Sequence, residues 1–320
     1  DKVGRIADIG PKYSTNGKIA GLRAILNAAP TPIADVPLIN VPAQIGLPGT
    51  QFLIVGFDYD LLRARFFRSD ASSPAGTFSP PDTATTLALA AHASSNAPVN
   101  YFDEPAKFSD SQFWDGAIAG YNNPVLAGVL ELLAHGVARD TIDALSLGTA
   151  NVALPSAGPA TDPCLIQEPR TASFPRVKDD ILVLATSVVD DPPDAASFHA
   201  HLALTQRLPA APDQPIADGP IVRLNPLVRP VRDAQGAWIP PQLNPGAPQN
   251  DLGDLKALAT LDMDATADSD IALIQKLADA WINDRVPNQP IRWRRNDDPG
   301  CEIGHACFSA ARAAWLARCP

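Results

Sequence analysis

The stretch Phe113-Trp114-Asp115-Gly116-Ala117-Ile118-Ala119-Gly120-Tyr121-Asn122-Asn123-Pro124 decides how this chain is read. Gln112 to Trp114 reads as a short strand that ends on Asp115 and Gly116. The small residues that follow let the chain pass close to another backbone. Asn122-Asn123-Pro124 then opens a helix, with Pro124 at its first turn. That helix is expected over Pro124 to Val137, on a stripe of Val125, Val129, Leu132 and Leu133. Asp-Gly alone is also a common hairpin turn. The whole run says more, because it delivers a carboxylate at a strand end. In open α/β sheets, sites lie at the carboxyl ends of strands.

Working outward, Lys18 to Ala28 predicts a helix through Ile19, Leu22, Ile25 and Leu26, with Ser14, Thr15 and Asn16 as capping residues. A Pro-rich loop runs from Pro30 to Pro48. Gln51 to Asp58 is a nearly continuous apolar run, suited to a strand buried on both faces. Arg63 to Arg68 reads as its hairpin partner. After a loop with Pro74, Pro80 and Pro81, a helix capped by Asp82 is expected over Asp82 to Ala93. Ile142 to Gly148 reads as another buried strand. This alternation of strands and helices argues for α/β layers.

Beyond Ala150 the pattern is weaker. Asp179 to Val189 suits helix or strand. Asp194 to Arg207 predicts a helix and Ile221 to Leu224 a strand. Ser269 to Asp284 predicts an amphipathic helix through Ile271, Ile274, Leu277, Ala278, Trp281 and Ile282, capped by Asp268 or Ser269. Phe308 to Arg318 predicts the last helix. Prolines number 33 in 320 residues, about twice the usual share. Many fall in connections at 155–176, 208–220 and 226–252. With 46% hydrophobic residues the chain can fill a large core, so general disorder is excluded. No composition shift marks a second domain. A single domain over 1–320 is expected, with 1–150 as the sheet and helix core and 151–320 as a Pro-rich extension packed on it.

The net charge is −10, which repels a phosphate backbone, so no nucleic-acid partner is expected. Nor does the charge help at an anionic membrane, so any lipid contact must be apolar. The cluster Arg292-Trp293-Arg294-Arg295 is followed by Asp297-Asp298 and reads as a solvated, mixed-sign loop. No run of 18 apolar residues occurs, so no transmembrane segment is expected. Cys301 and His305 are four apart, but Cys307 falls off that helical face and zinc spacings are absent. No metal is expected, and no cofactor. The bland reading of 301–307 is the approach to the last helix. No Gly-x-Gly-x-x-Gly, P-loop, His-Glu-x-x-His or Gly-x-Ser-x-Gly pattern occurs. None of His92, His135, His199, His201 and His305 has a motif around it.

The Asp115 segment resembles that of the patatin-like phospholipase family, in which Asp-Gly-Gly or Asp-Gly-Ala followed by Asn-Asn-Pro carries the aspartate of a Ser-Asp dyad. The resemblance extends to Ala93-Ser94-Ser95-Asn96-Ala97-Pro98 with Tyr101-Phe102, to Leu145-Ser146-Leu147-Gly148-Thr149, and to Pro11-Lys12-Tyr13. Ile54-Val55-Gly56-Phe57-Asp58 with Phe66-Phe67-Arg68 looks like the family's strand pair before the aspartate. Arg223-Leu224-Asn225-Pro226 and the Asp262 to Trp281 region resemble the later part of bacterial members. The resemblance implies a three-layer α/β fold, with a central, mostly parallel sheet flanked by helices and N-terminally incomplete. It also implies a serine lipid acyl hydrolase acting on a lipid or acyl ester, with Asp115 as the catalytic base. Gly116, Ala117, Asn122, Asn123 and Pro124 are the supporting residues.

The family's glycine-rich oxyanion loop and its nucleophile elbow both precede its Pro-Lys-Tyr segment. Residues 1–10 contain neither, and the chain starts Asp1-Lys2-Val3 without Met. The expectation is a processed or trimmed chain that is inactive alone, with its own N-terminal fragment as a partner. Ser94 and Ser95 belong to the scaffold in this reading. The alternative is a non-catalytic lipid- or protein-binding protein of the same fold. Nothing at the start resembles a leader, so a cytoplasmic location is favoured, with secretion open if a leader was removed.

Overall fold

Short connections set the first sheet. Leu53–Asp58 (β1) and Arg63–Arg68 (β2) are joined by four residues, and Ala106–Phe108 (β3) and Ser111–Asp115 (β4) by two. Connections this short allow only antiparallel neighbours. The order is β2-β1-β4-β3, and all three pairings are antiparallel. Leu53 faces Arg68, Gly56 faces Asp115, and Ala106 faces Phe113. Ser109 and Asp110 both have positive φ, 51° and 58°, as a two-residue type I′ hairpin requires. The hairpin turn therefore lies here and not at Asp115-Gly116.

The computed structural model describes residues 11–28, 30–70, 84–98, 101–152, 154–155, 164–165, 195–210, 214–232, 238–239, 241–244, 253–261, 265–293 and 301–319. Among these, 11–137 form one compact unit and the rest a second. Asp82, the segment Asp179 to Val189, and Asp297-Asp298 lie outside the described residues, but the helix expected from Asp82 begins only at Leu87, because residues 84–86 are not helical.

In the first unit, helices Thr15–Ala28 (α1), Val41–Gln44 (α2), Leu87–Ser94 (α3) and Val125–Ala134 (α4) accompany the sheet. The Pro30 to Pro48 stretch is thus not all loop, since α2 and the 3-10 turn Leu38–Asn40 lie within it. Leu38, Val41, Phe67, Leu87, Ala90, Ala93, Ala106 and Phe113 form the core. Phe108 and Phe113 stack at 4.7 Å between centroids, and Phe67 meets Phe113 edge-on at 5.4 Å. Thr86 caps α3, its hydroxyl accepting the Leu89 N–H at 3.4 Å. The predicted stripes shift by a residue or two. Ile25 on α1 is 71% exposed, and on α4 Leu132 is exposed while Glu131 is buried. Glu131 is drawn in by Arg68, whose Nε and Nη2 reach its two carboxylate oxygens at 2.5 and 3.2 Å.

In the second unit, Ala144–Leu147 (β5), Asn151–Val152 (β6), Leu154–Pro155 (β7), Cys164–Leu165 (β8), Ile221–Leu224 (β9), Leu227–Val228 (β10), Val231–Arg232 (β11) and Trp238–Ile239 (β12) make two-stranded pairs. Only β5 with β9 and β6 with β10 are parallel among the described pairs. Many residues separate each parallel pair in sequence, as a crossover requires. Residues 195–205 (α5), Gly253–Ala259 (α6), Asp268–Ile282 (α7) and Phe308–Leu316 (α8) are helical. Arg292–Trp293 (β13) pairs antiparallel with Cys301–Ile303 (β14), so Arg292 and Trp293 belong to a hairpin and not to a loop. Helix α7 follows Ala267, with no side-chain cap. Its inward residues are Leu273, Leu277, Ala280 and Trp281, against Val228, Leu243, Leu255, Leu258 and Val286. Ile271, Ile274 and Ile282 are exposed.

The chain is therefore mixed α/β as expected, but its described strands pair mostly antiparallel. The central, mostly parallel sheet is not formed by the described residues.

Candidate active site

Strand β4 ends on Asp115, which leaves the sheet opposite Gly56. Gly116 follows at the closest point. A Cβ there would sit 2.5 Å from the Val55 carbonyl oxygen, so only glycine lets the chain cross β1. Residues Gly116–Ala119 then wind into a 3-10 turn that Asp115 caps. Its Oδ1 accepts the Ala117 N–H at 2.8 Å. Gly120 ends the turn with φ 82°, in the left-handed region where glycine carries no Cβ penalty. Tyr121 packs edge-on to Phe66 at 5.2 Å. Asn123 is buried, and its Oδ1 accepts the Val125 N–H at 3.3 Å, before Pro124 leads into α4. Asp115, Gly116, Ala117, Asn123 and Pro124 thus act in one strand-turn-helix passage, while Asn122 stands exposed. We predict that Gly116→Ala destabilises the protein by about 1–3 kcal/mol, the usual range for overpacking. Urea denaturation of the variant against wild type measures it.

The Asp115 backbone is positioned by groups that pattern reading passed over. The Asp115 N–H donates to the Asn96 carbonyl at 2.9 Å. Asn96 is fully buried just after α3, and its Nδ2 donates to the Glu104 carbonyl at 2.9 Å. Its Oδ1 accepts from Lys18 Nζ at 3.4 Å. Lys18 also donates to the His92 carbonyl at 3.0 Å and lies 4.6 Å from the Phe102 ring centre. Lys18 is in phase with Thr15, Ile19, Leu22 and Leu26 on the inward face of α1, the one signal that could have marked it. Ser95 directs its hydroxyl to the Ala91 carbonyl at 2.7 Å, a helix-end role.

Burial pushes the Asp115 carboxyl above the usual carboxylate range, while the Ala117 N–H and the Lys18 charge pull the other way. Burial lowers the Lys18 ammonium from 10.5 to about 7, opposed by Asp115. His92 is lowered to about 4 by burial, then by Lys18 and Arg23, so its imidazole is neutral at pH 7. Asp115 Oδ2 makes no hydrogen bond among the described residues. Among the described residues, one carboxylate oxygen is therefore fixed by backbone and the other has no hydrogen-bond partner.

The Ser146-Leu147-Gly148 strand end lies in the second unit. Ser146 is buried and accepts from Arg223 Nη1 at 2.8 Å. Asn225 Oδ1 accepts the Ala150 N–H at 2.9 Å, and its Nδ2 donates to Gln289 Oε1 at 2.6 Å. Asn288 Nδ2 donates to the Arg223 and His305 carbonyls at 2.9 and 2.8 Å. These bonds give the Ser146 strand end and Arg223-Leu224-Asn225 a shared polar scaffold. His201, fully buried, places Nε2 3.1 Å from the Arg207 carbonyl and from Thr205 Oγ1, closing the end of α5.

No family model matches the chain, and no curated protein is significantly similar to it. Among the described residues no three His, Cys, Asp or Glu side chains converge as a metal site, and no helix is long and apolar enough to cross a membrane.

Proposed function

We propose that this chain carries the aspartate half of a Ser-Asp lipid acyl hydrolase of the patatin-like kind. The observation that carries the reading is the Asp115 carboxylate, with Oδ1 locked on the Ala117 N–H and Oδ2 without a partner among the described residues. In this reading Oδ2 takes the serine proton as the hydroxyl attacks an acyl ester, and returns it to the leaving alcohol. An ordinary carboxylate is a weak base toward a hydroxyl, and burial raises the basicity of this one. The nucleophilic serine and the oxyanion donors come from outside the 320 residues, and the three-layer parallel arrangement of the family is completed with them.

The test uses the full native protein, a fluorophosphonate probe and a short-chain ester. Covalent labelling of a serine, with turnover abolished in Asp115→Asn, supports the hydrolase. A native protein that neither labels nor turns over esters overturns it and leaves the binding-protein reading.

Lys18 supplies a second check. Lys18→Met removes the positive charge that holds the Asp115 carboxyl down, so that carboxyl moves further up. The acid limb of the kcat/KM profile, set by the ionised base, shifts to higher pH. An unmoved limb counts against Asp115 as the base.

A further inference from the structure

We propose that the turn between β1 and β2 docks the protein on the surface of a zwitterionic phospholipid bilayer. The turn is Tyr59-Asp60-Leu61-Leu62. Turns usually hold glycine, asparagine or aspartate, for their conformational freedom and hydration. Here Tyr59, Leu61 and Leu62 are 52%, 53% and 71% exposed. Leu62 has φ 51°, a left-handed conformation that strains any side chain with a Cβ. A glycine would remove that strain, and the leucine gains little burial within the protein in return.

The turn is also firmly built. Asp58 is fully buried, and its Oδ1 accepts the Asp60 and Leu61 N–H groups at 3.1 and 3.0 Å. The Asp60 carboxylate accepts from the Gln112 N–H at 2.9 Å and from its Nε2 at 3.1 Å. The Tyr59 N–H donates to the Gln112 carbonyl at 2.8 Å. The Asp60 carboxylate and Oδ1 of Asp58 are thus engaged with groups of the protein. The exposed groups of the turn are Tyr59, Leu61, Leu62 and Arg63, together with Asp60, whose carboxylate is tied to Gln112.

This is interface chemistry. Leucines enter the acyl region, tyrosine suits the headgroup boundary, and a guanidinium binds lipid phosphate. Three side chains are far fewer than the 20–30 residues a side of a typical stable protein interface. They suffice as prongs in a bilayer. The net charge of −10 gives no general attraction to anionic lipid, which leaves the apolar prongs to supply the binding. A cleft of about 500 Å³ lined by Phe57, Leu62, Arg63, Ala64, Ile118 and Ala119 joins the turn to the segment that follows Asp115. As a route from the bilayer toward Asp115, that cleft rests on the acyl-hydrolase reading.

The test is co-sedimentation of the full protein with sucrose-loaded phosphatidylcholine vesicles, which needs no turnover. Wild type should partition to the vesicles, unchanged between 0.1 and 0.5 M NaCl. Tyr59→Ser with Leu61→Ser should lose about tenfold or more in partition, on the scale of burying one leucine. Leu62→Gly should lose partition while melting no lower than wild type, since it relieves strain. Equal partition of wild type and these variants overturns the proposal, as does absence of wild-type binding. So does wild-type self-association that the variants abolish without any vesicle binding. An inactive protein that still binds vesicles sinks the hydrolase and keeps the docking surface. An active esterase that ignores vesicles does the reverse.

Discussion

Asp115→Asn should abolish ester turnover in the full native protein, with a loss in kcat of about 10⁴, the scale seen when the carboxylate of a serine triad is neutralised. The amide keeps an oxygen for the Ala117 N–H, so the turn geometry survives, but it cannot accept the serine proton. The same substitution should not weaken the fold. The folded-state pKa of Asp115 is raised by burial. Its favourable contribution is therefore full below the unfolded value near 4 and is lost as pH rises through the folded value. At pH 7 the wild type holds a partly desolvated charge that asparagine lacks. Thermal melting at pH 7 should place the variant at or above wild type, and the gap should close toward pH 3. A variant that is inactive and clearly less stable would point to a structural role for the carboxylate.

Glu131→Ala should destabilise the first unit by about 3–5 kcal/mol, because it leaves a buried guanidinium without its carboxylate. Arg68 and Glu131 side chains are only 4% and 11% exposed and meet through two hydrogen bonds. His135 flanks them, with Nε2 3.7 Å from Glu131 Oε1 and Nδ1 3.6 Å from Asp70 Oδ2. The double replacement Arg68→Met with Glu131→Leu should recover much of the loss, since apolar pairs of similar volume often replace buried ion pairs at little cost. Urea denaturation of the single and double variants decides this. A single variant within about 1 kcal/mol of wild type would mean that the pair is more hydrated than its exposure indicates.

Much of the local structure was legible in the order of residues. Ile221–Leu224 and Arg63–Arg68 were read to the residue, and α1, α4, α7 and α8 within a few residues. Periodicity is local, and a short apolar run between turn residues has few alternatives. The passage from Asp115 through Gly116 to Pro124 was legible for the same reason, since a strand end, small residues and a helix start are neighbours in sequence. Faces were less legible. Glu131 lies inside and Leu132 outside because a guanidinium from β2 reaches across to α4, which no window on one helix contains.

The β1–β2 hairpin was legible in the residues, whereas the mostly parallel sheet came from the resemblance and is not formed by the described strands. The four-residue and two-residue links at 59–62 and 109–110 already required antiparallel pairing. The surroundings of Asp115 could not be read in advance. Lys18, Asn96 and Asp115 are far apart in the chain and meet only when α1, α3 and β4 pack. Sequence alone established a mixed α/β chain with a carboxylate at a strand end, because propensity and spacing are carried by neighbouring residues. Which carboxylate oxygen lacks a partner among the described residues, the direction in which burial moves its basicity, and which apolar side chains of the turn are left outside were decided by packing. Burial and charge act through space, between residues that only the fold brings within reach.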